Sequence, residues 1–275
     1  MPVPGHAAMR LATLLAAALA FAAPVVAAEP AAVRAVDVEG TRFKVTMGDG
    51  SVRFSDQLVG ATVAIQTGRG TVRLRIDAVE RDAKAVGQPV WLHTLSARQR
   101  DGSWAPVCQP DPDGRPVGFP LALKPGIRES LLAAEPGEFE LFCTGGARAK
   151  CVRFGYQPWT SGPEGQSMLG AYNTCVRMVR ADYGGEGEGT TRNGMSIDFY
   201  DSYGIQKPDN DEEHVFEAGW DADGAVCVHH VRVKENTTLA QLEQRYPRLK
   251  GRTGAVCTEA FARAHGAALF NKSRQ

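Results

Sequence analysis

The chain has 275 residues, 43% of them hydrophobic, and its 31 basic and 31 acidic side chains balance. That balance offers no long-range field to attract nucleic acid or anionic lipid, which sets nucleic acid aside as a partner. With 30 glycines and 16 prolines beside that apolar content, the composition argues against disorder and for a turn-rich globular chain.

His6 and Arg10 precede an uncharged apolar run from Leu11 to Val26, and the small residues Val26, Ala27 and Ala28 stand before Glu29. This is the pattern of a secretory signal over residues 1–28, cleaved after Ala28. Pro24 interrupts the run, which is short for the roughly 20 residues of a membrane span, so the mature chain is expected to be exported, periplasmic or secreted, with no span after cleavage. Glu29 to Arg34 reads as a loose leader, with ordered structure from about Val36.

A small antiparallel β unit is expected over residues 36–86. Thr41–Met47 and Ser51–Phe54 flank Gly48-Asp49-Gly50, a hairpin signal, because glycine and aspartate tolerate the positive φ of tight turns. Ala61–Gln66 and Thr71–Val79 repeat this around Gly68-Arg69-Gly70, and Val72, Leu74 and Ile76 alternate with charged residues to make a one-sided strand. A polar stretch, Asp82 to Gln88, marks a soft boundary before a second domain over residues 88–275.

In that domain Val90–Arg98, Trp104–Cys108, Phe139–Cys143, Ser196–Tyr200, Val215–Trp220 and Ala225–Val233 read as strands. The spacing of Leu169, Tyr172, Val176 and Val179 predicts a long central helix over Ser167–Asp182, capped by Ser167, ended by Gly184-Gly185, and leaving Arg177 and Arg180 off its apolar stripe. Thr238–Tyr246 and Thr258–His265 are expected as helices capped by Thr238 or its neighbour and by Thr258. The fold class expected is α+β: the small N-terminal β unit, then a disulfide-stabilised α+β domain around one long helix.

Six cysteines, Cys108, Cys143, Cys151, Cys175, Cys227 and Cys257, follow the export segment. An even set in an oxidising compartment is normally consumed as bridges. Fifteen connectivities are open to six cysteines; pairing neighbours in topology gives Cys108 with Cys143, Cys151 with Cys175, and Cys227 with Cys257. Metal sites favour close ligand pairs, whereas the nearest cysteines, Cys143 and Cys151, are far apart for that chemistry, and no H-E-x-x-H occurs. Neither a metal nor a cofactor is expected.

The strings from Cys143 to Trp159 and from Cys175 to Gly184, with Thr191-Arg192-Asn193-Gly194, Ile197-Asp198, Tyr200-Asp201, Gly204-Ile205, Phe216-Glu217-Ala218 and Ala268-Leu269-Phe270-Asn271, resemble the ADYC-domain family of exported bacterial proteins. The resemblance runs from about Val90 onward. It implies an exported, cysteine-containing domain and supplies no reaction, since the family's function is uncharacterised. Gly184 stands where the family has its motif cysteine, after Ala181-Asp182-Tyr183. If that cysteine is bridged in the family, its partner is missing here too, and Tyr246 is the expected position of the lost partner.

Asp182, Tyr183, Arg192, Asp198, Tyr200 and Asp201 form the most polar constellation. Converging carboxylates there would suit acid and base roles or a divalent cation; the plainer reading is that Arg180 or Arg192 pairs with Asp182 or Asp198 and fixes the loop. Tyr156, Trp159, Tyr172, Tyr200, Tyr203 and Trp220 are candidates for an aromatic ligand surface. The function expected is a non-catalytic binding or envelope-structural role, partnered by an envelope component; the alternative is a carboxylate-dependent hydrolase acting on an envelope polymer.

Overall fold

The computed structural model describes residues 32–67, 70–124, 130–131, 137–209 and 211–274. The expected signal segment, and Gly68 and Arg69 of the second hairpin loop, lie outside the described residues. The described residues belong to one unit, Ala32–Gln275.

Three strands, β1 (Val33–Glu39), β2 (Arg42–Met47) and β3 (Val52–Phe54), form the first sheet. Next come β4 (Thr62–Thr67), β5 (Gly70–Arg81), β6 (Trp91–Arg98), β7 (Trp104–Pro106) and β8 (Val117–Leu121). A short ribbon pairs β9 (Leu123–Lys124) with β10 (Ser130–Leu131), and β11 (Glu140–Cys143) completes a second sheet of order β11-β8-β6-β5-β4, with β7 on β6. Two helices follow, α1 (Ala147–Arg153) and α2 (Leu169–Arg180), then β12 (Ile197–Asp201), β13 (Val215–Asp221) and β14 (Gly224–Val228). After α3 (Leu239–Arg245) and α4 (Glu259–Ala264), β15 (Leu269–Ser273) returns to the middle of a third sheet, β12-β15-β13-β14.

This architecture overturns the expected α+β class. The described residues are mostly β, in antiparallel sheets of three, six and four strands besides the ribbon, with four short helices and no long central one. At 12 residues, α2 is shorter than its apolar stripe suggests. Ser167 is held in an antiparallel bridge with Ser161, so the helix begins after it, with Met168 as N-cap. At the other end Ala181, not a glycine, takes the left-handed conformation at φ 51°, and the amides of Ala181 and Asp182 close onto the carbonyls of Met178 and Arg177. Arg177, off the apolar stripe, is buried all the same, its side chain 2% exposed, because the eight residues Ala171–Met178 of α2 are all buried.

The main core gathers β6 and β8 (Leu92, Phe119, Leu121), α2 (Tyr172, Val176) and β13 (Trp220). Gly118 of β8 has a steric cause, since a Cβ there would lie 2.5 Å from the Phe142 carbonyl and 2.9 Å from Cys108 Sγ. A second core, of Phe43, Val45, Met47, Leu58, Ile76 and Leu95, fills the space beneath the first sheet.

His93 is buried beside that second core, its Nε2 2.7 Å from Ser55 Oγ and its ring edge-on to Phe43. Burial holds the imidazole neutral by lowering its pKa from 6.5 to about 4. Between those values the unfolded chain binds a proton that the folded chain refuses. Stability therefore falls as pH drops below 6.5, by about 1.4 kcal/mol per unit, or about 2 kcal/mol at pH 5. Urea unfolding at pH 7.5 and 5 should show that loss in the native chain and a smaller one in His93→Gln; equal losses would refute a neutral buried His93.

Candidate functional site

The six cysteines join as Cys108–Cys143, Cys151–Cys175 and Cys227–Cys257, with Cα separations of 5.4, 5.8 and 5.4 Å. These are the topological neighbours the sequence suggested. The first bridge ties the end of β11 to the segment after β7, the second ties α1 to α2, and the third ties β14 to the start of α4.

The polar constellation divides among separate networks. Asp182 is fully buried; its Oδ2 lies 2.7 Å from Arg177 Nη1 and accepts from the Gly187 amide. Its cation is thus Arg177, while Arg180 donates to the Gly187 carbonyl and Arg192 forms an exposed pair with Glu235. On β12, Asp198 faces Lys272 at 3.3 Å and accepts from the Asp209 amide. Tyr200 donates to Glu259 at 2.7 Å, and burial pushes its hydroxyl pKa up. Asp201 accepts from the Tyr156 hydroxyl and from the amides of Tyr203, Ile205 and Gln206. Among the described residues, Asp182, Asp198 and Asp201 share no hydrogen-bond partner. Among the aromatic candidates, Tyr156, Tyr172, Tyr200 and Trp220 are buried, and Trp159 and Tyr203 are half-buried.

Tyr183 leads to the most deeply buried network. Its hydroxyl donates to Glu217 Oε1 at 2.9 Å and accepts from the Arg232 amide at 2.9 Å. The Arg232 guanidinium grips both oxygens of Glu217, at 2.9 and 3.0 Å, and donates to the Met178 and Val179 carbonyls at the end of α2. Burial alone would raise the Glu217 carboxyl, but Arg232, Ser273 and Asn271 hold it below its ordinary value. Asn271 in turn accepts from the Trp220 indole at 2.7 Å. A fully buried charge pair with every strong donor directed at protein atoms locks sheet to helix.

A cleft of about 800 Å³ opens between α1, the loop before it and the segment leading into β12. Volumes of roughly 300–1,000 Å³ are typical of small-ligand sites. Phe142, Phe154, Val179, Ile197 and Phe199 give it apolar walls, with the Phe154 and Phe199 ring centroids 4.5 Å apart. Strand alternation puts Ile197 and Phe199 on the cleft side while Asp198 and Tyr200 point inward. Arg148, Lys150, Arg180 and Arg192 bring cations to the lining. Its two carboxylates are committed: Asp111 accepts from Thr144 Oγ1 and two backbone amides, and Asp113 pairs with Lys84. Of the six polar candidates, Arg192 alone lines the cleft. The Ile197/Phe199 alternation was visible in the sequence, whereas the approach of α1 to β12 was not.

Among the described residues no group of three or more His, Cys, Asp or Glu side chains is placed to hold a metal, and no helix is long and apolar enough to cross a membrane. These features define a disulfide-braced, antiparallel β protein with an apolar, cation-lined cleft. The ADYC domain model matches residues 55–234, and the chain belongs to that family. No curated protein and no solved structure matches it.

Proposed function

We propose that the protein is an exported, non-catalytic binding protein whose ligand occupies the cleft between α1 and β12. The observation that carries this reading is the cleft itself: apolar walls at ligand scale, beside carboxylates already engaged by fixed partners. Export is supported by the signal-like residues 1–28 and by bridging of all six cysteines. The hydrolase alternative has weaker support, because Asp182, Asp198 and Asp201 each serve a separate structural network and none lines the cleft.

Native mass spectrometry of the mature protein after incubation with an envelope extract tests the reading. Expected is a retained small molecule at a fixed ratio, lost in Ser196→Trp, which plugs the exposed lip of the cleft. Absence of any retained molecule, or steady release of a cleaved product, would overturn it.

A further inference from the structure

The chain is neutral overall, with 31 cationic and 31 anionic side chains, but its cleft is not. Asp111 and Asp113 are its acidic lining residues, set against a larger number of lysines and arginines. Some of those cations have carboxylate partners: Arg153 has Asp82, Lys84 has Asp113 and Arg232 has Glu217. Two do not. Lys150 has no ion-pair or hydrogen-bond partner for its ammonium among the described residues, and Arg180 donates to the Gly187 carbonyl, a neutral acceptor that leaves its charge uncompensated. Both side chains are half-buried beside the phenylalanine walls, and Arg148 lies over the Phe142 ring at 5.7 Å. Asp111, held by Thr144 and two amides, is the one lining carboxylate without a cation partner among the described residues, so Lys150 and Arg180 leave an excess of positive charge beside the apolar walls.

Resting on the binding reading above, we propose that the ligand is a monomeric anionic amphiphile, with a carboxylate or phosphate head on an apolar body. The head answers Lys150 and Arg180; the body covers Phe142, Phe154, Ile197 and Phe199. A neutral or cationic head leaves the cations unanswered, and a headgroup without a tail leaves the phenylalanines wet.

Calorimetric titration of the mature protein with dodecanoate and dodecyl phosphate, each below its micelle concentration, tests this against dodecyl maltoside, dodecyltrimethylammonium, acetate and inorganic phosphate. The two anionic amphiphiles are expected to bind about tenfold or more tightly than the neutral and cationic ones, and added salt should narrow the gap. The tailless anions should not bind. Lys150→Glu, a change at a half-buried surface position, should weaken dodecanoate about tenfold and leave dodecyl maltoside unchanged, while Ser196→Trp should block every amphiphile. Equal binding of all head types, or indifference to Lys150→Glu, overturns the anionic class. If an envelope molecule is retained but no anionic amphiphile binds, this proposal fails and the binding reading stands; if nothing is retained, the binding reading itself fails.

Discussion

Arg232→Ala is expected to destabilise the protein by about 3–5 kcal/mol, measured as a fall in the urea midpoint at constant slope. The substitution strands Glu217, whose side chain is fully buried, without its cation, and removes donors from the Met178 and Val179 carbonyls as well. Leaving one charge buried and unpaired is the costly step, because the interior cannot solvate it. Glu217→Leu combined with Arg232→Met should therefore recover part of the loss. Recovery stays incomplete, since methionine offers nothing to the two helix carbonyls. A loss below about 1 kcal/mol in the single variant would mean that water or another side chain replaces the guanidinium.

The second large effect is at Gly184. A Cβ built there would lie 2.1 to 2.6 Å from three atoms of the Tyr246 ring, too close for any side chain while that ring stays in place. Gly184 is not among the glycines with positive φ, so its backbone conformation would accept a β-carbon, and the nearest obstacle is the Tyr246 ring. Gly184→Cys alone should destabilise by about 1–3 kcal/mol, by overpacking. Gly184→Cys with Tyr246→Cys should do the reverse: removing the ring frees the space, and the two thiols should close as a fourth bridge. Oxidation should stabilise that double variant by on the order of 2–4 kcal/mol over its reduced form. Intact mass under non-reducing conditions checks it, with a persistent pair of free thiols as the failing result. Tyr246 was the position expected for the absent partner of the family's motif cysteine.

What could be read from the sequence, and what could not, follows from how far apart the deciding residues lie. Val72, Leu74 and Ile76 alternate within one strand, and β5 forms there; Thr238 and Thr258 each accept a hydrogen bond from the third residue of the helix they start. Those signals are local. The fold class failed where local pattern and tertiary pairing part. β8 reads poorly as a strand because Gly118 and Pro120 interrupt it, yet it lies between β6 and β11. β15 carries Asn271, Lys272 and Ser273, polar residues suited to a loop, but it occupies the middle of its sheet, where Asn271 answers the Trp220 indole. α1 is short and its N-cap makes no side-chain hydrogen bond, which leaves little signal before Ala147. Polar residues posed the same difficulty: Asp182 finds its cation five residues upstream, whereas Glu217 and Arg232 meet only because the chain after β14 folds back over α2.

The three bridges join each cysteine to the next along the chain, at separations of 35, 24 and 30 residues, and no loop encloses or crosses another. Order of emergence and order of pairing therefore coincide. An oxidase that simply joins each newly arrived thiol to the one waiting before it makes the native set, with no scrambled intermediate to undo. Such a topology is expected to need no disulfide isomerase: deleting one should leave the yield of correctly bridged protein unchanged, and a build-up of mispaired protein would refute this.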